Sequence, residues 1–135
     1  MKSSCRIAVG FLLSLTIISV EVLAAVGTVP VIAGKVPDLD ACMTLGEVSG
    51  LDPEGDGFLA VRTGPGEGHQ LVDKLNEGRR VYICDERAPW VGIVYSNKHV
   101  DNGCGVTSPW PAPAPYTGPC RSGWVAARWI KDVAG

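Results

Sequence analysis

The stretch Phe58-Leu59-Ala60-Val61-Arg62-Thr63-Gly64-Pro65-Gly66 decides the fold of this chain. Phe58 and Ala60 alternate with Leu59 and Val61, and a period of two places successive side chains on opposite faces of a β-strand. Gly64-Pro65-Gly66 then stops regular structure. Pro65 holds φ at about −65°, and a glycine on either side permits positive φ or a backbone approach that a Cβ would block. The reading is one short strand running into a stiff corner. Arg62, with its guanidinium donors beside that corner, is expected to fix the turn by hydrogen bonds to carbonyls.

Outward from the corner the same period returns. His69 to Leu75 alternates, with Leu71 and Asp73 on one side and Val72 and Lys74 on the other, before Asn76-Glu77-Gly78 turns the chain. Arg79 to Cys84 puts Val81 and Ile83 on one face and Tyr82 and Cys84 on the other, and Asp85 to Pro89 reads as a tight polar connection. Trp90 to Tyr95 is a strand with Val91, Ile93 and Tyr95 sharing a face. Upstream, Met43 to Val48 forms a first strand, followed by turn formers from Ser49 to Gly57. Downstream, Gly123 to Ile130 resumes order around Val125 and Ile130, with Ala126-Ala127-Arg128 short enough for a 3₁₀ turn. No window beyond the N-terminal segment sustains a helical period, so the fold class is all-β.

Residues 1–24 read as a signal peptide. Lys2 and Arg6 give a basic start, Ile7 to Val20 is almost uninterruptedly apolar, and Val22-Leu23-Ala24-Ala25 offers small residues for cleavage after Ala24 or Ala25. The chain is therefore expected to be exported, periplasmic or secreted, with no membrane attachment after cleavage. Residues 25–41, with Gly27, Pro30, Gly34 and Pro37 among small apolar residues, read as a flexible leader, and residues 42–135 as one small domain. Once Lys2, Arg6 and Glu21 are set aside, ten basic and thirteen acidic residues remain, a balance that argues against a nucleic-acid or anionic-membrane partner. Cys42, Cys84, Cys104 and Cys120 form an even set, which in an exported chain of this size is a disulfide framework with three possible connectivities.

Four segments, Leu59-Ala60-Val61-Arg62-Thr63-Gly64-Pro65-Gly66, Lys74 to Ile83, Pro89 to Val94 and Gly123 to Ile130, together resemble the successive signature segments of a bacterial SH3-like (SH3b) domain. The resemblance covers Cys42 to about Lys131. It implies a small SH3-like barrel of five or six short strands, and recognition of cell-wall peptide or another extended peptide. In that family the connection before the last Gly-Trp-Val strand is short, whereas here residues 96–121 form a long insertion with five prolines between Pro109 and Pro119. Its Pro109-Trp110-Pro111-Ala112-Pro113-Ala114-Pro115-Tyr116 run favours polyproline II geometry without the P-x-x-P register, which makes it a stiff strap rather than a proline-rich ligand. We expect Cys104 to pair with Cys120 and Cys42 with Cys84. The first bridge closes a short loop around the strap, and the second ties the leading strand to the middle of the barrel.

The aromatic residues carry the binding signal. Trp90, Tyr95, Trp124, Trp129, Trp110 and Tyr116 exceed what so small a core holds, so some are expected to line a groove. The expected groove runs between Gly64-Pro65-Gly66 and the strap, with Trp110 and Tyr116 at its rim and Tyr95 and Trp124 in its floor. Asp52-Pro53-Glu54-Gly55-Asp56-Gly57 resembles the start of a calcium loop, but Thr63 stands where a bidentate acid is wanted, so no metal or cofactor is expected. His69 is expected to be exposed, His99 sits at the start of the insertion, and neither has a nucleophile other than paired cysteines. The expectation is a non-catalytic binding module, with an inhibitor or adaptor of a periplasmic complex as the alternative and a cell-wall hydrolase behind both.

Overall fold

A computed structural model describes residues 27–97 and 103–135. The signal-peptide reading and the position of His99 lie outside these residues. The elements in order are β1 (Ile32–Ala33), β2 (Thr44–Val48), β3 (Leu59–Arg62), β4 (Leu71–Leu75), β5 (Arg80–Arg87), β6 (Trp90–Tyr95), β7 (Ala114–Pro115), β8 (Arg121–Ala126), a 3₁₀ turn over Ala127–Trp129, and β9 (Ile130–Ala134). The fold is all-β, and its strand pairs are antiparallel. One sheet has seven strands in the order β4-β3-β8-β6-β5-β2-β9, and β1 pairs with β7 in a separate ribbon.

Two features depart from the sequence reading of the sheet. The strand order is open, ending at β4 and β9, where a closed barrel of five or six strands is expected. The seam lies at β3, which meets β8 through a single partner pair, Arg62 opposite Trp124. Asp85-Glu86-Arg87 also continues β5 instead of turning, because Glu86 pairs with Val91 and Arg87 with Trp90. That leaves Ala88–Pro89, joined by a cis peptide bond, as the hairpin connection. Asp85, read as a turn residue, is only 3% exposed.

Alternation along β5 and β6 divides the interior in two. Val81, Val91, Ile93 and Tyr95 face one cluster with Val48, Leu59, Val61, Leu75 and Val125, while Tyr82 and Val94 face a second with Ala33, Ala41, Cys42, Cys104, Val106 and Tyr116. Both expected disulfides are present, Cys42–Cys84 and Cys104–Cys120, and both belong to the second side.

The leader is the largest correction. Over Val29 to Gly34 it is packed chain, not a loose tether, whereas Lys35 to Asp40 stay exposed. Val31 and Ala33 are buried and Val29 half-buried, so the small residues do alternate once Pro30 and Ile32 are read as the outward positions. Ile32 and Ala33 pair with Pro115 and Ala114, Gly34 N donates to Ala41 O at 2.8 Å, and Asp40 bridges to Pro109. Gly34, at φ 73°, lets the strap lie against it: a Cβ there would stand 2.9 Å from Trp110 Cβ and 3.1 Å from Ala112 O.

Candidate functional site

At the corner, Gly64 answers to the second of the two reasons given for its glycines, a close approach that a Cβ would block. Thr63 N donates to Gln70 O at 2.9 Å, His69 N to Gly66 O at 3.2 Å, and Arg62 Nη1 to His69 O at 3.0 Å, so the arginine does close the turn through a carbonyl. Gly64 has no positive φ; it is glycine because a Cβ there would overlap the imidazole of His69. His69 is accordingly half-buried against the corner rather than exposed, and neither its Nδ1 nor Thr63 Oγ1 has a hydrogen-bond partner among the described residues.

The strap is fastened from inside by Tyr116. Its hydroxyl donates to Cys104 O at 2.8 Å and accepts from Cys120 N at 3.1 Å, spanning the two ends of the disulfide loop. Its amide donates to Val31 O at 2.8 Å, and its ring stacks on Trp110 with centroids 6.4 Å apart and planes 10° from parallel. Trp110 Nε1 in turn donates to Gly105 O at 2.9 Å. Tyr116 is 8% exposed, so it is an anchor and not a rim residue.

The expected floor is likewise interior. Trp124 is fully buried: β8 carries its ring inward, its Nε1 donates to Val29 O at 2.8 Å, and the Arg87 guanidinium lies 5.5 Å from the ring. The expected groove fails at this position because the leader covers the indole. Tyr95 is also enclosed, but its hydroxyl reaches Asp73 Oδ2 at 2.9 Å, where Arg121 Nη1 arrives at 3.2 Å. Burial raises the Asp73 carboxyl, yet the Lys74 amide, the Tyr95 hydroxyl and the Arg121 charge together hold it below its ordinary value. Burial, and then the bond to Asp73, push the Tyr95 hydroxyl above its ordinary value.

What the structure offers in place of the aromatic groove is a cleft of about 460 Å³ between the corner and the strap, lined by Val29, Thr63, Val72, Tyr95, Tyr116 and Arg121. Of the expected residues, Tyr95 and Tyr116 reach it, whereas Gly64, Pro65, Gly66, Trp110 and Trp124 do not. Val72 and Arg121 were not foreseen. Val72 is an apolar residue 46% exposed on an edge strand, and its β-branched character next to Leu71 is the signal that marks it. Arg121 had no signal, since only the fold brings it to Asp73.

The calcium-like run is an acidic turn. Asp52 Oδ1 accepts from Glu54 N at 2.9 Å and Asp52 O from Gly55 N at 3.0 Å, and among the described residues no group of His, Cys, Asp and Glu is placed to hold a metal ion. Fold and site together define an all-β, two-disulfide chain with a cleft between the corner and the strapped loop. Protein-family models, curated proteins and solved structures were compared with the chain, and none matches it.

Proposed function

We propose that the chain is an exported SH3-like module that binds an extended peptide in the cleft beside β4 and does not turn it over. The observation that supports this reading is the cleft itself. Its walls are the aliphatic Val29 and Val72 and the rings of Tyr95 and Tyr116, and Arg121 supplies a charge at the same place. Apolar walls with few polar groups are how small recognition sites are commonly built. Val72 lies on β4, an outer strand whose free edge is a ready template for an extended chain. Two disulfides suit an oxidising compartment, where an exported binding module would work. The fold alone does not carry the function, which rests on the site.

The test uses the purified chain against insoluble cell wall and against periplasmic extract, with Val72→Asp and Arg121→Glu as site variants. Both side chains are exposed enough to keep the fold. Each variant should weaken binding about tenfold, roughly 1.4 kcal/mol, with melting nearly unchanged. Binding equal to the parent in both variants, or release of soluble fragments from the cell wall, counts against the proposal.

A further inference from the structure

We infer that Val29–Ala33 occupies the chain's own peptide groove, and that the partner is an extended polypeptide segment of the same chemistry that must displace it. The inference rests on the peptide-binding reading above and names its ligand class. The segment is seated as a ligand would be. Val29 N donates to Thr63 O at 2.8 Å, Val29 O accepts from Trp124 Nε1 at 2.8 Å, and Val31 O accepts from Tyr116 N at 2.8 Å. Main-chain bonds on both sides with alternate side chains buried are the pattern of peptide recognition by strand addition. The groove extends the cleft, because Val29, Pro30 and Val31 line one wall of it.

The receptor side is shaped for this occupant. Gly92 leaves room for Val31: a Cβ there would stand 3.0 Å from Val31 Cγ1 and 2.8 Å from Asp85 Cβ. Asp85 is a buried carboxylate inside a strand, a costly arrangement without partners. Its Oδ2 receives the Ile32 amide at 3.0 Å, from within the segment, and its Oδ1 the Lys35 ammonium, two residues beyond it; its third partner is the Glu86 amide. The preferred ligand is therefore an extended stretch with valine over Gly92, a small residue two positions on, and a basic residue two beyond that, as Val31, Ala33 and Lys35 stand here. An acidic cell-wall peptide fits neither Asp85 nor these small apolar seats, which favours a protein partner.

The occupant is joined to the body by exposed chain. Its ladder with β7 is two residues long, and Lys35 to Asp40, which lead from it, are exposed, with Asp38 at φ 64°. An external segment with the same register replaces the same bonds one for one.

The probe is a labelled synthetic peptide with the sequence of residues 27–35, titrated into the full chain and into its Val31→Asp variant, which expels its own segment without touching the groove. We expect the variant to bind the peptide at least tenfold more tightly than the parent. Binding should be lost when the peptide carries Lys35→Glu, and the Tyr116 amide should exchange more slowly once the peptide is bound. A folded Val31→Asp chain that binds no better than the parent overturns the inference. Should Val31→Asp fail to fold, a chain with a specific protease site in place of residues 36–39 is nicked after folding. Exchange of the cleaved N-terminal fragment for labelled peptide supports the inference, and a fragment that stays put, or a body that unfolds as it leaves, overturns it. A concentration-dependent dimer of the parent that Val31→Asp abolishes identifies a second copy as the occupant and overturns the assignment to a partner protein. None of these readouts uses Val72 or Arg121, so a failure of the groove is told apart from a failure of the cleft, which is tested by those two variants.

Discussion

The cluster around Ile93 and Val125 and the cluster around Val106 and Tyr116 lie on opposite faces of β5 and β6, and they are held by different forces. The first is closed by the sheet itself, with strand residues of β2, β3, β4 and β8 meeting Val81, Val91 and Ile93. The second is faced only by the two-residue β1–β7 ribbon among the described residues. It is covered by the leader and the strap, fastened by both disulfides, by the Tyr116 hydroxyl and by the buried Asp85 carboxylate. Hydrophobic burial is non-directional and tolerates exchange, whereas a bridge or a buried carboxylate works only with its partner in place. The first side is therefore expected to fail by cavity formation, and the second by detachment of one segment.

The largest effect is expected under the leader, at Trp124. Trp124 is fully enclosed and joins β8 to the leader through Val29 O, so Trp124→Ala should cost about 3–5 kcal/mol in denaturant unfolding. A loss under about 1 kcal/mol would show that the leader collapses onto the vacated space and that the two sides are not separately packed.

Next are the bridges, which act on the second side alone. Cys104–Cys120 spans 16 residues and Cys42–Cys84 spans 42, so loop closure assigns about 3 and about 4 kcal/mol to them in that order. Replacing Cys104 and Cys120 by Ala should accelerate hydrogen exchange at Tyr116 and leave the Ile93 amide slow until global unfolding. Equal acceleration at both would merge the two clusters into one cooperative unit.

This division also explains what the sequence made legible. Strands β3 and β6 and the opposed faces of Val81 with Ile83 and Tyr82 with Cys84 followed from a period of two, and the 3₁₀ turn came within one residue of its place. These are local signals. The disulfide pairing also followed, because loop length and the poverty of apolar residues in the strap are properties of the chain. The leader did not, since only long-range partners such as Thr63 O, Tyr116 N and Asp85 reveal that Val29, Val31 and Ala33 point inward. Asp85 looked like a turn residue because its partners are far away in sequence. The aromatic count misled for the same reason: Trp124 and Tyr116 fill the interior that the leader and strap create, and the exposed Val72 took the place expected of them.

A smaller effect separates the carboxylate latch from the bridges. Asp85→Asn keeps the shape but removes the charge that holds Lys35, and it should cost roughly 1–3 kcal/mol, read first as faster exchange of the Ile32 amide. Unchanged exchange at Ile32 would mean that β1 is held by β7 and burial alone.

The smallest effect is expected at Asp73, which lies beside the cleft but outside both clusters. Its carboxyl is held below its ordinary value in the folded chain, so the stability it contributes is present above the unfolded carboxylate range and is lost as pH falls through the folded value. Arg121, its ionic partner, is largely exposed, which limits the pair to under about 1 kcal/mol. Asp73→Asn should therefore barely move melting at pH 7 and should flatten the acid limb of the stability curve below about pH 4. The sign is the informative part. If the variant were instead relatively more stable at neutral pH than at low pH, desolvation of Asp73 would outweigh its bonds to the Lys74 amide, the Tyr95 hydroxyl and Arg121, and the cleft would be lined by a strained charge rather than a settled one.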